Sequence, residues 1–384
     1  STDFLDGYYG AAGKPIYQYI DMLEDKVKND NIHMHLYTNP AQGYLTDDIM
    51  AKAMALFDEA EAAVADDEAL LERVRVARLP LTYARLFPRN GYTIENGTLR
   101  FNGEFASVRE AAEMVKRLEA HGFKKIREQQ GPPEQLVMLG AMMHMPLKAP
   151  RLENKHLSVD VVPALGGRAL RITHRGTRHW ITAHNVTRNL YFPFAGGEET
   201  RMDGLFRPKG WFSQFDVVEE TEESITLKAE VDGFELRRIL RLEADAPMLE
   251  ITAAVTNPQD KPRELHIRHH LELDLGELRE TRVRFTNRDG ENIKRGMEPI
   301  IAGLREGEHY YDQKAPKGEW VFTGSKGLTV TQRFDDEQVD YTWLYAYPDY
   351  LGELESEVWA KPVELAPGET FEFSHSIEVQ KSEE

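Results

Sequence analysis

The chain has 384 residues and a mass of 44.0 kDa, a length that suggests two domains. Its 47 Lys and Arg face 65 Asp and Glu, a net charge of −18; with no Lys/Arg-rich run, this excludes a nucleic-acid partner. No apolar run approaches the roughly 20 residues of a membrane span, so no membrane role is expected. The absence of cysteine excludes disulfides, thiolate zinc sites and cysteine nucleophiles.

Up to Pro150 the chain reads as helices. Pro15 suits a first helical turn, and Ile16, Ile20, Leu23 and Val27 follow at helical spacing, ending in Asn29-Asp30-Asn31. Thr46 is placed to cap a second helix carrying Met50, Met54, Leu56, Phe57 and Ala60. A third spans Glu72 to Phe87, with a kink or break expected at Pro80, which lacks a backbone donor. Ser107-Val108-Arg109-Glu110 is a capping box, opening a helix through Met114, Val115 and Leu118 that stops at Gly122.

After Arg151 the hydrophobic period becomes two. Leu157–Val161, Leu249–Ala253 and Phe371–Phe373 alternate. Gly166-Gly167, Asp232-Gly233, Asn257-Pro258 and Pro367-Gly368 supply turns. The fold class expected is therefore α+β by separate domains: a helical domain over 1–150, then a large antiparallel β-sandwich over 151–384. Residues 1–150 hold 17 basic and 22 acidic side chains, a net of −5, so −13 lies on the β half.

The chemistry concentrates on few segments. From Arg263 to Leu275, one face carries Leu265, Ile267, His269, Leu271, Leu273 and Leu275. The other carries Glu264, His266, Arg268, His270, Glu272 and Asp274. Clustered titratable groups of this kind suit the floor of a polar cleft, where a histidine can move protons near neutral pH. The alternative is a solvated outer sheet face; His269 reads as a hydrogen-bonded core histidine. Glu353, Glu355, Glu357 and Trp359 share a second face, and carboxylates beside an exposed indole suit a sugar. The alternative there is a plain exposed strand. Tyr191–Phe215, rich in aromatics and charges and including Trp211, reads as a long loop. His33-x-His35 and His266-x-x-His269-His270 lack a recognised metal spacing, so neither metal nor cofactor is expected.

Two resemblances follow. Tyr8-Tyr9-Gly10, Tyr44-Leu45-Thr46 and Arg73–Arg78 resemble a domain-of-unknown-function family of bacterial glycoside hydrolases, over about residues 5–90. In that family such helices follow a catalytic barrel, as in α-glucuronidases. The segments 162–168, 257–262, 270–273, 354–356 and 365–369 resemble the galactose-mutarotase-like supersandwich, over about 153–380. That second resemblance implies His270 as general acid and Glu355 as general base, with Glu357 the alternative. It also implies Arg168 as a substrate-facing or structural arginine, with His179 and His184 as candidates for a second substrate histidine. His266, Arg268, Glu272, Trp359 and Trp211 complete the expected substrate-binding set. The favoured reading is the carbohydrate-binding, accessory end of a larger glycoside hydrolase whose catalytic domain lies upstream of Ser1. Its partner would be a mono- or oligosaccharide. An active aldose epimerase and a purely structural module are the alternatives. Exported and cytoplasmic locations are equally compatible.

Overall fold

The computed structural model describes residues 2–33, 44–88, 91–124, 135–183, 196–202, 209–211, 213–298, 308–347 and 353–382. They form two compact units. One comprises Ser1–Thr93 and Arg100–Pro146; the other comprises Ile94–Leu99 and Leu147–Glu384.

The first unit is helical: α1 (Thr2–Tyr9), α2 (Gly13–Asn29), α3 (Asp47–Ala63), α4 (Glu68–Ala84), α5 (Val108–Ala120) and α6 (Gln135–His144). The Thr46 side chain accepts from the Ile49 N–H, and Ser107 and Glu110 close the expected capping box. One helix departs from expectation. α4 begins earlier, where Asp67 accepts from the Ala69 and Leu70 N–H groups, and it runs unbroken through Pro80. Pro80 is exposed, so the carbonyl it leaves without a donor sits near solvent rather than in the core. Phe57, Leu81, Val74 and Ile16 anchor the core of this unit.

The strands run in chain order β1 (Tyr92–Glu95), β2 (Thr98–Phe101), β3 (Leu147–Lys148), β4 (Arg151–Glu153), β5 (Leu157–Val162) and β6 (Arg168–His174). Next come β7 (His179–Trp180), β8 (Gly197–Met202), β9 (Asp216–Glu220), β10 (Ser224–Val231), β11 (Phe234–Leu242) and β12 (Met248–Thr256). β13 (Arg263–Leu265), β14 (Ile267–Leu273), β15 (Arg282–Thr286), β16 (Asn292–Gly296), β17 (Glu308–Tyr311) and β18 (Glu319–Thr323) follow. The last are β19 (Leu328–Phe334), β20 (Val339–Tyr347), β21 (Glu353–Ala360), β22 (Val363–Leu365) and β23 (Thr370–Lys381).

Two nine-stranded sheets dominate. One is ordered β16-β15-β18-β19-β23-β12-β11-β10-β9, the other β17-β20-β21-β14-β8-β6-β5-β4 with β7 added beside β6. They share one apolar core, in which Leu271, Leu354 and Val358 of the second sheet meet Ile251, Val330 and Phe373 of the first. The expected fold class, helices followed by a large antiparallel sandwich, is the one observed. No helix among the described residues is long and apolar enough to cross a membrane.

Part of the segment read as a loop is instead a central strand. β8 lies between β14 and β6, and all six of its residues are buried. Gly197 opens it with φ +79°, and a Cβ there would sit 2.5 Å from the Ala169 carbonyl oxygen, so only glycine lets β8 lie this close to β6. Residues 191–195, 203–208 and 212 of that segment lie outside the described residues.

Candidate functional site

β14 is buried on both faces, which rules out the solvated-face alternative for it. Strand alternation sends His269 inward between the sheets and His270 outward. The same alternation on β8 sends Glu198 inward and Glu199 outward. Two ionised clusters therefore sit back to back on one pair of strands.

The outward face is built in rows by register. Arg201, Arg268, Trp359, Tyr341 and Tyr311 face one another across β8, β14, β21, β20 and β17. Glu199, His270, Glu357, Trp343 and His309 form the next row, and Glu272, Glu355 and Tyr345 the third. Charge fills one side of this surface and aromatic rings the other.

His270 is the centre of the charged side and is fully buried. Its Nδ1 lies 3.7 Å from Glu199 Oε1 and 3.6 Å from Glu272 Oε1. Its Nε2 lies 3.6 Å from Glu355 Oε2 and 3.4 Å from Glu357 Oε1. Neither ring nitrogen makes a hydrogen bond among the described residues. Burial, followed by the positive charges of Arg201, Arg268 and Arg168, holds the imidazole well below its ordinary pKa, so the ring is neutral at pH 7. Glu355 moves the other way. Burial and the neighbouring Glu272 and Glu357 push its carboxyl well above the ordinary range, against the opposing pull of Arg201 and Arg268.

The arginines organise the carboxylates. Arg168 is fully buried; it bonds the Leu165 carbonyl at 3.0 Å, the Gly196 carbonyl and Glu199. It therefore orients Glu199 from below and offers solvent no surface. Arg201 reaches Glu199 at 2.5 Å and Glu272 at 3.6 Å, and stands 5.1 Å over the Trp211 ring. Arg268 pairs with Glu357 at 3.4 Å, and burial lowers its pKa to about 10.

Two expected substrate-binding residues are corrected. Trp359 is not an exposed indole: it is 9% exposed, with the Arg268 guanidinium 4.1 Å over its ring and Tyr341 stacked on it at 5.1 Å. Its Nε1–H donates to Glu357 Oε2 at 2.7 Å, so it positions neighbours and has no free face for a sugar ring. His266 precedes β14 and pairs with Glu264 at 3.2 Å; its side chain is 41% exposed and does not join the buried group. His179 is exposed on β7 and contacts the Lys326 carbonyl at 3.3 Å, while His184 and His35 lie outside the described residues. The Glu353 side chain is likewise undescribed.

Sequence reasoning passed over the aromatic side. Tyr341-x-Trp343-x-Tyr345 is a period-two pattern legible in the chain, and His309-x-Tyr311 is another. Trp343 packs edge-on against His309 at 4.4 Å, and Tyr311 is 46% exposed at the sheet edge. Tyr341 and Tyr345 are half-buried.

The inward cluster was seen only in part. His269 is the expected core histidine: its Nε2 lies 3.0 Å from the Phe373 carbonyl oxygen and its ring stacks on His375 at 4.0 Å. Glu198 ion-pairs with Arg238 and accepts from His375 Nε2 at 3.2 Å. The proton position on His375 is forced. The Trp320 indole only donates, so the Gln332 oxygen must accept from it at 2.7 Å; the Gln332 amide then donates to His375 Nδ1 at 2.8 Å. That leaves the His375 proton on Nε2, aimed at Glu198.

Among the described residues, three groupings have ligand atoms close enough for a cation: Glu198, His269 and His375; Glu199, His270 and Glu272; and His270, Glu355 and Glu357. Each contains a carboxylate already paired with an arginine, namely Glu198 with Arg238, Glu199 with Arg168, and Glu357 with Arg268. A cation entering any of them would meet a fixed positive charge at short range.

No sequence-family profile matches the chain, and no curated protein matches it. Among solved structures it is similar to a galactose mutarotase related enzyme from Lactobacillus acidophilus, at 15% identity over 62% of this chain and 99% of that one, with TM-score 0.46. It is similar also to a GalM/aldose epimerase homologue from C. elegans, at 12% identity over 62% and 100%, with TM-score 0.49. A galactose mutarotase-like protein from Lactobacillus casei matches at 10% identity over 60% and 100%, with TM-score 0.47.

Proposed function

We propose that this chain binds a carbohydrate on the outward face of β8, β14, β21 and β20, with Glu355 at the point of contact and His270 buried behind it. The observation that carries this reading is the His270–Glu355 approach of 3.6 Å where, among these described residues, the charged group is most exposed: the Glu355 side chain is 18% exposed, whereas His270, Glu199, Glu272 and Glu357 are buried. Half-buried Tyr345 is the register partner of Glu355 on β20, and half-buried Tyr341 lies farther along the same face, opposite Trp359. Carboxyls for hydroxyl groups beside aromatic rings for C–H faces are the chemistry of sugar recognition.

The spacing speaks against a hydrolytic centre in these residues. Glycosidases set two carboxyls on either side of one bond, about 5 Å or more apart. Glu355 and Glu357 stand two residues apart on one strand and point the same way. On this reading any hydrolysis belongs to a separate catalytic domain, with this chain as its accessory part. The helical unit belongs to the same proposal through its resemblance to hydrolase helices.

A second reading, aldose epimerisation, is favoured by one specific feature. A hemiacetal carbon bears two oxygens side by side, and ring opening needs one proton given and one taken there. Two titratable groups 3.6 Å apart can address both oxygens at once. Titration calorimetry against a panel of hexoses, uronic acids and their oligomers tests the first reading. Binding that Glu355→Ala abolishes is expected, and no binding by any of them would overturn it. Polarimetry on the same sugars tests the second: acceleration of mutarotation supports it, and none with a sugar that binds removes it.

A further inference from the structure

The outward face continues past the charged group to the edge of the sheet, and its side chains become more exposed on the way. His270 is fully buried, the Glu355 side chain is 18% exposed and Tyr311 is 46% exposed. Tyr311 stands on β17, the outermost described strand of the second sheet. It ends the row that runs through Arg268, Trp359 and Tyr341. The inner rings of that row have a neighbour on each side. The Arg268 guanidinium lies 4.1 Å over Trp359, Trp359 stacks on Tyr341 at 5.1 Å, and Tyr341 lies 4.8 Å from Tyr311 with the two planes 38° apart. Tyr311, the last ring, has a neighbour in the row on one side only. His309 meets it edge-on at 5.5 Å, with its Nδ1 3.2 Å from the Tyr311 hydroxyl. A ring held by a neighbouring ring and by its hydroxyl, yet nearly half exposed, is a preorganised surface for the C–H face of a sugar.

This surface lies well away from Glu355. By register Glu355 faces Tyr345, which stands four residues along β20 from Tyr341, and Tyr341 faces Tyr311 one strand farther out. Four residues along a strand and two strands across make a diagonal of about 16 Å. Trp343 of β20 stands midway on that diagonal, and its indole N–H is buried with no acceptor among the described residues. The line between the two exposed ends therefore crosses an unsatisfied donor. A single sugar ring can occupy one end or the other, but it is too short to occupy both.

We propose that the ligand of this face is an oligosaccharide, held at one end beside Glu355 and at the other by a distal sugar residue stacked on Tyr311. This deepens the carbohydrate reading and rests on it. The two ends differ in chemistry: a carboxyl for hydroxyl groups at one, an aromatic face for C–H groups at the other. Each contact is modest alone. Joined in one ligand they reinforce each other, because the second forms within a complex that the first already holds.

Titration calorimetry on the full chain, with gluco-, xylo- and galacturono-oligosaccharides from the monosaccharide to the tetrasaccharide, tests this. In a series that binds, affinity should rise by roughly ten-fold or more with length and level off by the tetrasaccharide. Tyr311→Ala should weaken binding of the longest ligand by roughly two- to ten-fold, and that of the monosaccharide by less than about two-fold. Tyr311→Phe keeps the ring and should keep most of the gain with length. Affinity that does not grow with length, or growth that survives Tyr311→Ala in full, overturns the proposal and leaves the carbohydrate reading standing. A loss in Tyr311→Ala that is equal at every length makes the residue structural and also overturns it. No binding by any of these sugars at any length removes the carbohydrate reading and this inference together.

Discussion

Glu198 and Glu199 are neighbours on β8, and His269 and His270 are neighbours on β14, yet the two faces they supply are built on different principles. Inward, the Glu198 carboxylate has both Arg238 and His375, and a directed chain from Trp320 through Gln332 places the His375 proton, while His269 Nδ1 and Arg238 Nε make no hydrogen bond among the described residues. Outward, the His270 ring has four carboxyls around it and no hydrogen bond to any. The inward face holds two sheets together. The outward face sets the unbonded nitrogens of His270 beside the partly exposed Glu355. The difference teaches that burial and charge alone do not mark a site; access does, for the Glu198 side chain is fully buried and the Glu355 side chain is 18% exposed.

The largest expected effect breaks the inward side. Arg238→Ala strands a buried carboxylate and should cost about 3–5 kcal/mol in chemical denaturation. A loss under 1 kcal/mol would mean that the inward cluster is not a structural clamp.

The next sharpens it by pH. Burial lowers the His375 pKa to about 4, below the roughly 6.5 of an unfolded histidine. The unfolded chain therefore binds more protons between these values, and stability falls as pH drops through that window, by roughly 3 kcal/mol in all. Glu198 adds to the acid loss at lower pH. Burial disfavours its charge, but the attraction of Arg238 and the bonds from His269 and His375 outweigh that and hold it well below the usual carboxylate range. In His375→Gln the loss between pH 6.5 and 4 should shrink; an unchanged acid limb in urea melts would remove His375 as its source.

The outward face should show the opposite sign. Glu355 has a raised pKa, so its contribution is present below the unfolded value of about 4.3 and is lost as pH climbs through the folded one. Glu355→Gln should therefore stabilise the chain relative to wild type, more at pH 8 than at pH 5. A gain that is equal at both values would contradict a raised Glu355 pKa.

A smaller effect is expected at Trp359→Phe. It keeps a ring between Arg268 and Tyr341 but removes the indole donor to Glu357, for a cost of about 1 kcal/mol. Sugar affinity should weaken only modestly, because no face of this ring is open to stack. At the floor, Lys52→Ala breaks an exposed pair with Asp48 and should change stability by no more than about 0.5 kcal/mol.

Much of the fold was legible in the chain. The capping box at Ser107, the Thr46 cap and the change of period after Arg151 are local signals, set by backbone groups within four residues. Pro80 misled, because a helix can continue past one missing donor where that position faces solvent. β8 misled more. Its Gly-Glu-Glu-Thr-Arg-Met has no apolar alternation, yet it is buried throughout, because its charges find partners on β6, β11 and β14. No sequence window contains those partners.

The site divides in the same way. Sequence by itself determined that His269 and His270 face opposite ways, and that Glu355, Glu357 and Trp359 share a side, because strand alternation is a property of the backbone. Tertiary structure decided which glutamate each arginine neutralises, that Trp359 is enclosed between a guanidinium and a ring, and that His266 stands apart. Those outcomes depend on strands as far apart in sequence as β6, β8, β14 and β21 lying side by side. Charge pairing acts over a few ångströms in space, whatever the separation along the chain.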